Sequence, residues 1–187
     1  MNLRSVLACA GTLVALCISS PAVSADQASK QGEVRKAVTG SLEKFYKTQP
    51  SLKADVEKAP GYAVFTSYGL SFLVGGSGGS GLAHDAKTGK ETFMSMAQAS
   101  AGVQAGIQKR DLLIVFKTPK ALQNFVDKGW EFGAGGAVGA GAGGKTIGAG
   151  SGEQFVNDAL FYSLTEKGIE AGAGFAGTKF WKDKDLN

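Results

Sequence analysis

Residues Gly139-Ala140-Gly141-Ala142-Gly143-Gly144-Lys145-Thr146 spell the phosphate-loop pattern G-x-x-x-x-G-K-T. In that chemistry backbone N–H groups cradle phosphates, the lysine reaches them and the threonine holds magnesium. The flanks argue against it. Such a loop follows a hydrophobic strand and opens a helix, but residues 130–138 are already glycine-rich. The following Ile147-Gly148-Ala149-Gly150-Ser151-Gly152 is a poor helix, since each glycine costs about 1 kcal/mol there. A glycine-rich strand or loop is the expectation, and no nucleotide. The run Gly75-Gly76-Ser77-Gly78-Gly79-Ser80-Gly81 could form a similar phosphate nest, but reads as a flexible or bulged strand connection.

Other reactive residue types are scarce. His84 is the only histidine, and it has no nucleophile motif around it. Cys9 and Cys17 are the only cysteines, and both lie in the first 25 residues. No metal, cofactor or catalytic residue is therefore expected. What remains is positive charge. Lys36, Lys44 and Lys47 share the polar face of a predicted helix with Glu43, and Arg35 flanks them. A basic amphipathic helix can lie on an anionic membrane surface. Lys109 and Arg110 form a second basic point, expected at a strand turn. These six residues are the candidate lipid contacts.

The elements that must position them can be read from periodicity. Residues 1–25 read as a secretory signal peptide: Arg4, then uncharged Ser5 to Ile18, then Pro21 and the small-residue end Val23-Ser24-Ala25. Cleavage there would leave Asp26 first. Leu16 is bulky for a lipoprotein signal, so lipidation of Cys17 is not expected. Export to the periplasm or cell envelope follows, with secretion as an option. Residues 26–187 then form a single domain with a formal charge of +3, because Arg4 is the one charge lost. That balance permits attraction to anionic surfaces without singling out nucleic acid.

Gln27 to Lys47 reads as a helix, with Val34, Ala37, Val38, Leu42 and Phe45 on one face. Ser51 to Lys58 follows Pro50 as a second helix. From Tyr62 the period becomes two. Strands are expected at Tyr62 to Ser67, Leu70 to Val74, Ser80 to Asp85, Glu91 to Gln98 and Leu112 to Phe116. Lys87-Thr88-Gly89-Lys90 reads as a hairpin turn, and Lys109-Arg110-Asp111 as another. Thr118 and Pro119 cap and open a helix that Gly129 stops. Phe132 to Gly144 is uncharged but too short for a membrane helix. Phe155 to Leu164 and Ile169 to Phe180 read as a final antiparallel pair. The sum is α+β: N-terminal helices, then a strongly curved, mostly antiparallel glycine-rich sheet or barrel with one inserted helix.

The chain has 28 glycines in 187 residues, about twice ordinary usage. Their placement carries a resemblance. It runs from Ala59-Pro60-Gly61-Tyr62-Ala63-Val64-Phe65 through Val74-Gly75-Gly76, Gly78 to Leu82 and Ala101-Gly102-Val103-Gln104-Ala105-Gly106. It continues through Leu112 to Phe116 and Ala121 to Phe125, and closes on Gly168-Ile169-Glu170-Ala171-Gly172-Ala173-Gly174-Phe175-Ala176-Gly177-Thr178. Residues 30–185 resemble the SYLF domain of exported bacterial proteins and eukaryotic cortical and endocytic proteins. The resemblance implies phospholipid or phosphoinositide binding without catalysis. Some eukaryotic members bundle actin, which an exported bacterial-type chain would not meet. At residues 76–81 relatives often carry Tyr-Gly-Lys/Glu-Gly, and this chain has only glycine and serine. The alternatives are a structural or interaction component of the cell envelope, self-associating or binding another protein, and a nucleotide-dependent enzyme.

Overall fold

The computed structural model describes residues 22–71, 74–101, 106–132, 155–156, 158–165, 168–171, 175 and 177–187. The phosphate-loop match, Cys9, Cys17 and all of the uncharged tract after Phe132 lie outside the described residues. The elements in order are α1 (Ala22–Thr48), α2 (Ser51–Lys58), β1 (Gly61–Ser71), β2 (Val74–Asp85), β3 (Glu91–Ala101) and β4 (Gly106–Phe116). There follow α3 (Pro119–Lys128), β5 (Trp130–Glu131), β6 (Phe155–Val156), β7 (Ala159–Thr165), β8 (Gly168–Ala171) and β9 (Thr178–Lys182). The strands form one sheet in the order β5-β9-β3-β2-β1-β4-β7-β6, with β8 also on β7. Every described pairing is antiparallel.

Strand alternation gives each side of this sheet an apolar face, and helices cover both. On one side Phe65, Ile114, Phe116, Phe161 and Phe180 pack with Leu122 and Phe125 of α3. On the other, Val64, Leu82, Phe93, Leu113 and Leu160 pack with Val38 and Phe45 of α1 and Leu52 and Val56 of α2. The sheet curls around the α3 side. Phe132, just beyond β5, lies 5.3 Å from Phe161 of β7, although the two strands sit near opposite ends of the strand order. The architecture is α+β with a curled half-barrel, as the periodicity predicts.

The helix boundaries follow local chemistry. Thr118 Oγ1 accepts the Ala121 N–H at 3.2 Å, and Pro119 opens α3. Gly129 stops it at φ 67°, a left-handed conformation that suits glycine, with its N–H on the Phe125 carbonyl. The β2–β3 turn is held by Asp85. Its Oδ1 accepts the N–H groups of Lys87 at 2.9 Å and Thr88 at 3.0 Å. Those bonds, the Thr88 N–H first, hold the Asp85 carboxyl below its usual range. A lowered folded value means stability that is present above the unfolded pKa and lost as pH falls through the folded one. Asp85→Ala is expected to cost about 0.5 kcal/mol at neutral pH, a small figure because the site is solvated. Thermal melts of the two proteins should converge as pH falls below the ordinary carboxylate range.

Four expectations are corrected. The strands expected at Tyr62 to Ser67 and from Leu70 are not separate, because β1 runs unbroken from Gly61 through Gly69 to Ser71. The glycine run 75–81 is not a flexible or bulged connection. It is regular strand, paired with β1 on one side and β3 on the other. Lys109-Arg110-Asp111 is not a turn. It lies inside β4, opposite Tyr68, Ser67 and Thr66 of β1. The final pair is only half as expected: β7 pairs β8, whereas β9 crosses the fold to pair with β3 and β5.

Candidate functional site

Helix α1 lies across the outer face of the sheet. Its apolar seam includes buried Val38 and Phe45 and partly buried Val34 and Leu42, as the spacing predicts; Ala37 is exposed. Polar contacts fix its register. Ser41 Oγ meets Thr66 Oγ1 at 3.0 Å in a buried hydroxyl pair. Gln31 Nε2 donates to the Leu186 carbonyl at 2.7 Å.

Two of the predicted lipid contacts are used in this docking. Arg35 Nε donates to Glu91 Oε2 at 2.6 Å, and its guanidinium sits 5.0 Å above the Phe93 ring. Lys44 Nζ lies 3.0 Å from Oδ2 of Asp111, a carboxylate that is almost fully buried. Asp111 Oδ1 has no hydrogen-bond partner among the described residues, so Lys44 is the cation seen to compensate this burial. Lys36 and Lys47 are exposed and make no ion pair among the described residues. Arg110 is not beside them. Its Nη1 reaches Gln98 Oε1 of β3 at 3.5 Å. It precedes Asp111 in a strand, so it projects to the opposite face, the α3 side. Lys109 sits in β4 opposite Tyr68. The structure thus brings four of the six cations onto one helix and separates Arg110 from them.

Beside α1 runs a groove that sequence reasoning missed. It consists of two adjoining hollows of about 350 and 380 Å³ that share Glu33, Ala37 and Thr66. One continues along the helix past Lys36, Gly40 and Lys44. The other opens over Gly78, Gly79 and Ser80 of β2. The one advance sign was the small-residue pair Gly40-Ser41 on the docked side of the helix. Nothing local could reveal Thr66, Glu91 or Asp111 as partners.

His84 lies beside Tyr62, with ring centroids 5.2 Å apart. Among the described residues no group of three His, Cys, Asp or Glu side chains is placed to hold a metal. No described helix is long and apolar enough to cross a membrane.

Comparison with known proteins gives this arrangement a family. The model of the Ysc84 family, described as Las17-binding protein actin regulator, matches residues 97–187. Beta cell expansion factor A of Aeromonas veronii is 36% identical over 148 residues. The chain belongs to the SYLF family. The alignment to the Aeromonas protein covers 78% of this chain and 54% of that one, so it spans about half of that relative's length. In SYLF terms, the family match takes in β4, α3 and all the later strands, whereas α1 and its groove precede it. Residues 76–81, where the resemblance departs from the family pattern, form the glycine strand that floors the groove.

Proposed function

We propose that this SYLF protein is an exported, non-catalytic domain that binds phospholipid at a membrane surface. The observation that carries the reading is α1 itself. It is a long helix pinned to the sheet by its apolar seam and by Arg35 and Lys44, and it leaves Lys36 and Lys47 facing solvent. A SYLF family without general enzymatic activity and linked to lipid or actin binding supports it. Residues 1–25 serve as the leader in this reading, which places the protein in the periplasm or cell envelope.

Vesicle co-sedimentation tests it. The chain is expected to sediment with anionic phospholipid vesicles at low salt, and less so as salt rises. Each surface lysine contributes about 1 kcal/mol near an anionic membrane, so Lys36→Glu with Lys47→Glu should weaken binding at least thirtyfold, roughly. Unchanged sedimentation of the double variant would remove α1 from the contact, and no sedimentation of the parent would end the reading. Recovery of the protein from the periplasmic fraction with Asp26 first checks its export.

A second reading, a protein-interaction component of the envelope, is favoured by Trp181. It is 40% exposed on β9, the one large apolar residue among the described residues that is exposed. Oligomers that persist at high salt without lipid would support it.

A further inference from the structure

The charges along the middle of α1 are not equivalent. Lys30 is held by Asp26 at 2.8 Å, Arg35 by Glu91 and Lys44 by Asp111. Of the other charges, Glu43 lines neither hollow, and Glu33 and Lys36 remain at the groove. Both line the groove, and neither is in an ion pair, with each other or with any other described residue. They stand three residues apart, about 4.5 Å along the helix axis and on neighbouring positions of its surface. The groove therefore presents one negative and one positive group side by side at its rim, neither ion-paired among the described residues, with Glu33 acting only through space on Lys30.

We infer that this groove binds a phosphate–amine zwitterion of the phosphoethanolamine class, carried by a lipid headgroup or free in solution. A lone phosphate on Lys36 would meet the Glu33 carboxylate one turn away. A lone amine on Glu33 would meet the Lys36 ammonium. A phosphate and a primary amine joined by two carbons reach both, with the phosphate oxygens on Lys36 Nζ and the ammonium on the Glu33 carboxylate. Each contact is a charge-assisted hydrogen bond. The rest of the groove suits such a molecule. Ser80 supplies an exposed hydroxyl, and Val34 and Ala37 an apolar wall. Gly40 and Gly78 leave the backbone bare. A Cβ at Gly40 would meet nothing within 4 Å, and one at Gly78 only the Met96 carbonyl at 4.0 Å. For a lipid headgroup, the inference deepens the membrane reading by naming the lipid class.

The test is direct binding of glycerophosphoethanolamine and of glycerol phosphate to the full chain by calorimetry. Vesicles holding one fixed share of phosphatidylglycerol, made up with phosphatidylethanolamine or with phosphatidylcholine, are compared in parallel, so that surface charge is the same. The expected result is at least about tenfold preference for the member of each pair that bears the primary amine, the effect of one charge-assisted bond. Glu33→Gln should erase the preference. Gly40→Leu should abolish groove binding without lowering the melting temperature, because leucine is the better helix former and the added Cβ enters open space. Binding of the free compound assigns a soluble source, and binding of vesicles alone assigns a membrane one. Equal affinity for both headgroups, or a Glu33→Gln variant that keeps the preference, overturns the inference. Phosphatidylglycerol vesicles bound through Lys36 and Lys47 with no amine preference would overturn the groove and leave the membrane reading standing. Free glycerophosphoethanolamine bound with no vesicle of either kind would do the reverse.

Discussion

Phe125→Ala is expected to lower the unfolding free energy by about 3–5 kcal/mol, a large share of the stability of a single domain. Phe125 is fully buried on α3. Its ring lies 5.0 Å from Trp130, 5.3 Å from Phe116, 5.6 Å from Phe180 and 6.1 Å from Phe65. Those four rings come from four strands, β5, β4, β9 and β1. They do not touch one another equally, so Phe125 joins them. Truncation removes its own apolar surface from the core and also leaves a cavity that four strands must close at once. A curled sheet held by its hydrogen-bond ladder cannot collapse inward freely, so the cost should fall in the upper part of that range. Urea unfolding at neutral pH measures it. A loss below about 1 kcal/mol would show that the neighbouring rings repack without it. Phe125→Leu, which keeps most of the volume, should lose less than half as much.

The second large effect is expected at Gly81. A Cβ there would strike the Phe65 ring and the Val64 carbonyl of the neighbouring strand. Phe65 is fully buried and packed on Phe180 at 4.7 Å, so it has nowhere to go. The carbonyl belongs to the β1–β2 ladder. Gly81→Ala should therefore cost about 1–3 kcal/mol, the range of overpacked cores, and Gly81→Val more. Gly78→Ala is the internal control. It lies three residues earlier in the same strand, its Cβ would meet only the Met96 carbonyl at 4.0 Å, and it should change stability by less than about 0.5 kcal/mol. Equal effects at the two positions in urea unfolding would refute a steric role for the inward glycine. In this strand, then, glycine at 81 is required by its neighbours, whereas glycine at 78 is required only if something occupies the groove above it.

This contrast explains why residues 75–81 were opaque to periodicity. A strand declares itself by alternating side chains, and glycine has none to alternate. Only the ladders to β1 and β3 make the segment a strand. The helices were legible for the opposite reason. Pro50, Thr118, Pro119 and Gly129 carry local backbone preferences, and the α2 and α3 boundaries follow them. The cluster Lys109-Arg110-Asp111 misled because three successive charges usually mean a solvated turn. Here the aspartate is buried under Lys44, 67 residues away in the chain. Arg35 shows the same limit. Its type and its helix were readable, but Glu91 lies 56 residues further on, and that pairing decides whether the guanidinium is available. The curled sheet and the helical placement of Arg35, Lys36, Lys44 and Lys47 could be read from sequence. Which of the four cations are already engaged could not.

The position of β9 has a consequence for synthesis. β1, β2 and β3 pair in sequence order as two hairpins that can form from short-range contacts as they emerge, and β4 then adds back to β1 across the length of both. The α3-side core cannot. Phe175 and Phe180 belong to it, and Phe180 reaches β3 only through the ladder of the last strand. The side chain of Asn187 then bonds the backbone of Phe93 across 94 residues, and the Leu186 carbonyl receives Gln31 across 155. A chain that has paired only these four strands still shows water an aromatic hollow on the α3 side, and α1 lacks its bond to Leu186 on the other. Closure of the α3-side core and the last clasp on α1 both wait for the C-terminal residues from Phe175 onward. A holding chaperone would therefore have most to protect before that segment is free to fold back.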